Sequence, residues 1–218
     1  MEAVPYRLVR NLLLAAAVLY CSLLLEAAAG FPLNVHTSFL SELGARDRST
    51  SLYARAMDLS SSVLTLLAVL LARRNRALAG LLISTAVFAV GTMFDSFSPM
   101  DCAPSASEAC RASETSGQAG AALVLHEATS TMAGAGTIAM AVYAILLLRR
   151  ARSWLSRLVV VLAGGVLVTQ VWLGSVVGYE TLSGQEVAAP GILQRASTLL
   201  FCLMLGTLLP GLRQAFSR

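Results

Sequence analysis

Six long apolar segments divide this chain, and they constrain its fold more than any other feature of the sequence. Each is long enough to cross a hydrocarbon layer about 30 Å thick, which takes roughly 20 residues of helix. No segment alternates polar and apolar residues in the way that marks a strand of a membrane barrel. Because lipid offers no partners to unpaired backbone groups, helices are expected. The predicted spans are residues 11–29, 57–72, 78–96, 123–148, 158–179 and 192–212.

The composition agrees with a lipid environment. Hydrophobic residues make up 56% of the chain and charged residues 13%, with a mean hydropathy of +0.72, whereas a soluble domain carries about a quarter charged residues. We therefore predict an all-α protein, a six-transmembrane helix bundle forming one polytopic domain over residues 1–218. The first span also resembles a secretory signal with a cleavage zone at residues 26–29, but a retained helix is the favoured interpretation.

The arginines lie mainly on one side of the predicted spans. With the N-terminus in the cytoplasm, eleven arginines and one acid fall on the cytoplasmic side, and five arginines and eleven acids fall on the other. Loops rich in arginine stay on the cytoplasmic side of membranes. This distribution predicts that both termini are cytoplasmic in a multi-pass plasma-membrane protein. It also accounts for the basic pI of about 9.2 without a nucleic-acid partner.

The predicted outer loops span residues 30–56, 97–122 and 180–191. The first loop carries enough apolar residues to form a lid or a re-entrant segment over the bundle. The second holds Cys102 and Cys110, and a disulfide between them is expected because the outer side is oxidising. Cys21 and Cys202 lie within spans and are interpreted as small core residues.

Counting 1.5 Å per helical residue from the cytoplasmic arginines gives the depth of each polar side chain. Asp58 comes out at roughly 22 Å and Glu26 at roughly 24 Å, in the outer third of the bilayer. A charge facing lipid would cost about 2–3 kcal/mol, so these groups should face one another or a water-filled cavity. The candidate catalytic residues of this layer are Asp58, Asp95, His126 and Glu127. The candidate substrate-binding residues are Arg195, Gln194, Gln170, Trp172, Phe94 and Glu26.

Part of this layer can be explained without a functional site. Gln194 and Arg195 are close enough to the interface to anchor their helix. His126 and Glu127 would suit a solvated helix start, where an acid favours the positive end of the dipole. Arg55 lies one turn from Asp58, which allows an ion pair within the helix.

Metal and cofactor motifs are not evident in the sequence. The histidines are His36 and His126 alone, so a three-histidine zinc site cannot be built. A mixed site of His126 with Asp95, Asp101 or Glu127 has no diagnostic spacing. The chain has no lysine for a retinal attachment and no glycine-rich phosphate loop. We therefore predict neither a metal nor a cofactor.

Several short motifs together resemble a known family. They are residues 40–44 (LSELG), Asp58, residues 94–95 and 100–102, His126, and residues 194–195. The pattern is similar to bacterial and archaeal membrane proteins grouped as domain-of-unknown-function family 998. The resemblance implies a six-helix bundle in a bacterial membrane and no agreed activity.

Two classes of function fit these observations. The first is a membrane-embedded enzyme using acid–base chemistry on an isoprenoid or lipid-like amphiphile, as a protonation-initiated terpene cyclase or isomerase, or as a lipid hydrolase. The alternative is a non-enzymatic accessory protein that binds membrane lipids or a partner protein. A transporter is less favoured, because the cytoplasmic half lacks polar residues and no inverted repeat is evident.

Overall fold

The computed structural model describes residues 5–115, 120–183 and 190–216. Eight α-helices account for most of this part of the chain. Their bounds are α1 Tyr6–Tyr20, α2 Ser22–Ala28, α3 Ser51–Ala72, α4 Ala79–Phe97, α5 Glu108–Thr115, α6 Ala121–Leu148, α7 Trp154–Ser183 and α8 Pro190–Phe216. Short 3₁₀ turns lie at Leu40–Gly44, Arg76–Leu78 and Pro104–Ala106.

The long helices form a closed bundle in chain order. Helix α1 packs on α3, α3 on α4, α4 on α6, α6 on α7, α7 on α8, and α8 returns to α1. Five of these helices are long and apolar enough to cross a membrane, and the bent pair of α1 and α2 would make a sixth span. The all-helical prediction with multiple membrane spans is therefore confirmed, with a count of five to six.

The first span differs from the prediction of one continuous helix over residues 11–29. The chain bends by 46° between α1 and α2, where the Cys21 amide donates to Val18 O at 3.2 Å and ends the first helix. The bend turns α2 inwards, so that Glu26 becomes fully buried. A hydropathy pattern cannot show this bend, since both helices are apolar.

Helix boundaries also differ at the acid-bearing end. Helix α3 begins at Ser51, six residues before the predicted start at 57, because Ser51, Tyr53 and Arg55 lower the mean hydropathy of its first turns. Helix α7 continues to Ser183, past the predicted end at 179. The first outer loop is consequently shorter than predicted, and half of the third, residues 184–189, lies outside the described residues.

Small residues allow the central helices to cross closely. A Cβ on Gly91 would lie 2.6 Å from the backbone nitrogen of Ala133, and one on Gly136 would lie 2.3 Å from that of Phe88. Larger side chains would therefore separate α4 from α6. Beside this crossing, the rings of Tyr20, Phe88 and Phe201 pack edge to face or tilted, with centroids 4.6–5.4 Å apart.

The two ends of the bundle have opposite character. We call the end formed by residues 29–50 and 98–115 the acidic end. The arginine-rich end comprises residues 5–10, 72–79, 148–157 and 211–216, which together contain ten arginines and no aspartate or glutamate. The predicted layer of polar side chains lies beneath the acidic end.

Candidate functional site

A small polar cavity lies between α3, α4 and α6 under the acidic end. Its volume is about 40 Å³, which is room for roughly three water molecules. Ionisable side chains from three helices line it together with serine hydroxyls. The lining residues are Ser22, Leu40, Ser41, Gly44, Ala54, Arg55, Asp58, Asp95, Ser96, Pro99, Met100 and His126.

Asp95 and His126 form a close pair on one wall of this cavity. His126 Nδ1 lies 3.0 Å from Asp95 Oδ1, and the side chains are 11% and 18% exposed. The contact has the distance of an ion pair but lacks the alignment of a hydrogen bond. Because Nδ1 faces the carboxylate, Nε2 is the nitrogen available for proton transfer.

Two hydroxyl groups hold the Asp95 carboxylate in place. Thr129 and Ser130 donate to Asp95 Oδ1 at 2.7 Å and 2.9 Å. Both follow His126 by one turn of α6, so a single helix face presents three groups to the same oxygen. Sequence reasoning missed Thr129 and Ser130, although their spacing of three and four from His126 places them beside it.

Asp58 lies on the cavity wall without comparable support. It is within electrostatic reach of Asp95, and among the described residues its carboxylate accepts no hydrogen bond. The ion pair expected with Arg55 is not formed, because Arg55 Nε donates to Ser96 O at 2.8 Å and ties α3 to the end of α4. The Asp58 carboxylate is therefore the group in the cavity wall that would form hydrogen bonds with water or a ligand.

Glu26 and Arg195 form a second cluster, separate from the cavity. Arg195 Nε donates to Glu26 Oε2 at 2.9 Å, and Nη2 contacts Oε1 to complete a bidentate pair. Arg195 Nη1 donates to the carbonyls of Val35, Ser38 and Gly191. Since both charges are buried and fully bonded, this cluster is built to hold its own chain segments together.

Most of this sequence matches a known protein family. The family model described as "Protein of unknown function (DUF998)" matches residues 13–209. The chain belongs to this family. The match spans all the residues of the cavity and of the Glu26–Arg195 cluster. Comparison with curated proteins and with solved structures finds no match.

The other predicted site residues of this DUF998 protein lie away from the cavity. Gln194 Oε1 accepts a hydrogen bond from the Leu40 amide and thus binds the first loop. Trp172 is 62% exposed and Phe94 50% exposed on the outer surface of the bundle. Glu127 is exposed, and Gln170 is half-buried beside Gly134 of α6. The structure therefore brings together Asp58, Asp95 and His126 from the predicted set.

The 3₁₀ turn Leu40–Gly44 roofs the cavity, and Glu42 holds it there. The buried Glu42 carboxylate accepts from the Phe39 amide at 2.9 Å and from the Ser105 amide at 3.2 Å. The Ser105 hydroxyl donates to the same carboxylate. Thr50 adds a hydrogen bond to Leu43 O at 2.8 Å. Glu42 was absent from the predicted site, although it lies at the centre of the LSELG motif.

The second loop is docked against this roof. The Arg46 amide donates to Met100 O at 2.9 Å, and Asp47 accepts from the Ala103 amide at 3.1 Å. The predicted disulfide between Cys102 and Cys110 is confirmed, with Cα atoms 6.0 Å apart. The cavity is thus covered by two loops that brace each other.

A metal site is not apparent in the part of the chain that the structure describes, where no three or more His, Cys, Asp or Glu side chains are grouped to hold an ion. Asp58, Asp95 and His126 line one cavity without converging on one point. Their arrangement suits the transfer of a proton between a side chain and a bound molecule or water.

Proposed function

We propose that this DUF998 protein is a membrane-embedded enzyme that performs acid–base chemistry on the polar head of an amphiphile. The observation that carries the proposal is the largely buried Asp95–His126 pair, which shares a small polar cavity with Asp58. Buried acids and a histidine oriented by a carboxylate are the usual components of such sites.

The three side chains would divide the chemistry. His126, oriented by Asp95, would accept a proton from a water molecule or substrate hydroxyl. Asp58, which lies within electrostatic reach of Asp95, would donate a proton to the leaving group. Arg55 lines the same cavity and would stabilise negative charge that develops during the reaction.

Hydrolysis is favoured over cyclisation by the size and lining of the cavity. Its volume of about 40 Å³ is well below the roughly 300–1,000 Å³ of ordinary ligand pockets. An isoprenoid undergoing cyclisation needs its whole chain enclosed, whereas hydrolysis needs only the scissile head and one water molecule in the site. The hydrocarbon tail of the substrate would then remain in the bilayer.

Orientation in the membrane completes the proposal. The arginine-rich end would face the cytoplasm, in agreement with the distribution of positive charge. The acidic end, with its disulfide, would face the oxidising side of a plasma membrane. The substrate would accordingly enter from the outer leaflet.

The test compares lipid profiles from a deletion strain complemented with single variants. Asp58→Asn, Asp95→Asn and His126→Gln are each expected to leave the profile of the deletion strain, while the wild-type gene restores the normal one. Glu127→Gln is the matched control, because it removes an exposed acid next to His126. It is expected to restore the normal profile.

Protein yield and thermal unfolding of each purified variant show whether the fold is retained. Folded Asp58→Asn and His126→Gln proteins that restore the normal profile would contradict the enzymatic proposal. Loss of folded protein in all three variants, with normal lipids wherever protein remains, would instead indicate an accessory protein whose polar layer stabilises the bundle.

A further inference from the structure

A second cavity lies at the opposite end of the bundle, and its chemistry is different. It is a crevice of about 40 Å³ between α1, α3, α4 and α8. Its walls are aliphatic apart from Thr85, whose hydroxyl donates back to Leu81 O at 2.7 Å and so satisfies itself within its own helix. A crevice without polar partners does not hold water. It accepts hydrocarbon.

In the sequence, arginines lie close to crevice-lining residues in all four segments that form the walls. In each of these four segments, one crevice-lining residue is one or two positions from an arginine of the arginine-rich end. Arg213 is further positioned by the Tyr6 ring, with its guanidinium carbon 4.4 Å from the ring centroid. The lining residues and their arginines are Val9 with Arg10, Ala72 with Arg73, Leu78 with Arg76, and Leu212 with Arg213.

The described stretches of this end are rich in positive charge. The four chain stretches that form it contain no aspartate or glutamate. Guanidinium groups bind phosphate oxygens in a bidentate manner, and clusters of basic residues at a membrane surface attract anionic lipids. An apolar crevice beside such a cluster matches a molecule with a phosphate head and a hydrocarbon chain.

We propose that the arginine-rich end binds an anionic phospholipid, with its phosphate at Arg73, Arg76 and Arg213 and the first part of one acyl chain in the crevice. A soluble phosphate would use the arginines but not the crevice. A zwitterionic lipid would use the crevice but would bring no net negative charge to the arginines. This site is independent of the cavity at the acidic end and of any reaction there.

The experiment measures retained lipid by native mass spectrometry of the detergent-purified protein. Phosphatidylglycerol and phosphatidylcholine with identical acyl chains are added in turn, and inorganic phosphate is added as the soluble arm. We expect phosphatidylglycerol to be retained about tenfold more than phosphatidylcholine and to raise the unfolding temperature. Inorganic phosphate at the same concentration is expected to produce neither effect.

Two variants of equal charge locate the site. Arg73→Gln, Arg76→Gln and Arg213→Gln together are expected to lower phosphatidylglycerol retention about tenfold. The matched control combines Arg149→Gln, Arg150→Gln and Arg152→Gln, which remove the same charge from the connection between α6 and α7, outside the crevice. That control is expected to keep nearly all of the retention.

A third variant tests the crevice without altering charge. Ala72→Leu fills the crevice at a partly exposed position, and Ala79→Leu adds the same bulk at an exposed position outside the lining. Only Ala72→Leu should weaken phosphatidylglycerol retention. Equal retention of both lipids, equal losses in the two arginine triples, or no effect of Ala72→Leu would each overturn the proposal.

Discussion

Two groups of ionisable side chains lie near the acidic end, and they differ in how many hydrogen bonds their carboxylates accept. Glu26 and Arg195 neutralise each other, and Arg195 also donates to three backbone carbonyls. At the cavity, Asp95 Oδ1 is contacted by Thr129, Ser130 and His126. The Asp58 carboxylate accepts no hydrogen bond from the described residues. A satisfied ion pair stabilises a particular packing, whereas an unsatisfied acid keeps its capacity to bind or protonate something else.

Breaking the satisfied cluster should have the largest effect on stability. Glu26→Gln leaves Arg195 buried without its counter-charge, a change that costs about 3–5 kcal/mol. Thermal unfolding in detergent should therefore show a large fall in unfolding temperature. Glu127→Gln, which removes an exposed acid, should leave that temperature nearly unchanged. Similar behaviour of the two variants would show that the Glu26–Arg195 pair contributes little.

Loosening the support of Asp95 should have an intermediate effect. Thr129→Val removes a hydroxyl donor from a buried carboxylate, which costs about 1–2 kcal/mol. The misplaced carboxylate should also reduce any turnover that depends on His126. Thr207→Val is the matched control, since the Thr207 hydroxyl bonds only to carbonyls of its own helix. If both variants lose the same stability, the Asp95 contact has no special role.

Removing the unsatisfied acid should have the smallest effect on stability. Because the Asp58 carboxyl accepts no hydrogen bond from the described residues, Asp58→Asn breaks no such contact, and the change in unfolding free energy should be within about 0.5 kcal/mol. The lipid profile of the complemented strain should nevertheless change completely. A stability loss as large as that of Glu26→Gln would show that Asp58 stabilises the fold, as the Glu26–Arg195 pair does.

The sequence predicted the polar layer but not its division into two clusters. Depth depends only on the position along a helix, so residues as different as Asp58 and Glu26 were assigned to the same level. Pairing depends on rotation and bending. The bend at Cys21, which directs Glu26 towards Arg195, has no signal in the hydropathy pattern. The fold class was therefore predictable, while the separate cluster was not.

Predictions of which side chains point into the bundle failed for a related reason. Phe94 and Trp172 are predicted substrate-binding residues, yet both side chains are exposed. Helices in lipid are apolar on all sides, so the 3.6-residue period that marks the inner face of a soluble helix is weak here. Thr129 and Ser130 could have been found from their spacing to His126. Glu42 could not, because its partner Ser105 lies in another loop.

The separation of Glu26 from Arg195 has a consequence for biosynthesis. The two residues are 169 positions apart, so α8 leaves the ribosome well after α2. At about 5–20 residues per second, Glu26 waits roughly 10–30 s for its counter-charge. Until α8 has been synthesised, Glu26 has no counter-charge from Arg195. Formation of this ion pair therefore follows the synthesis of α8.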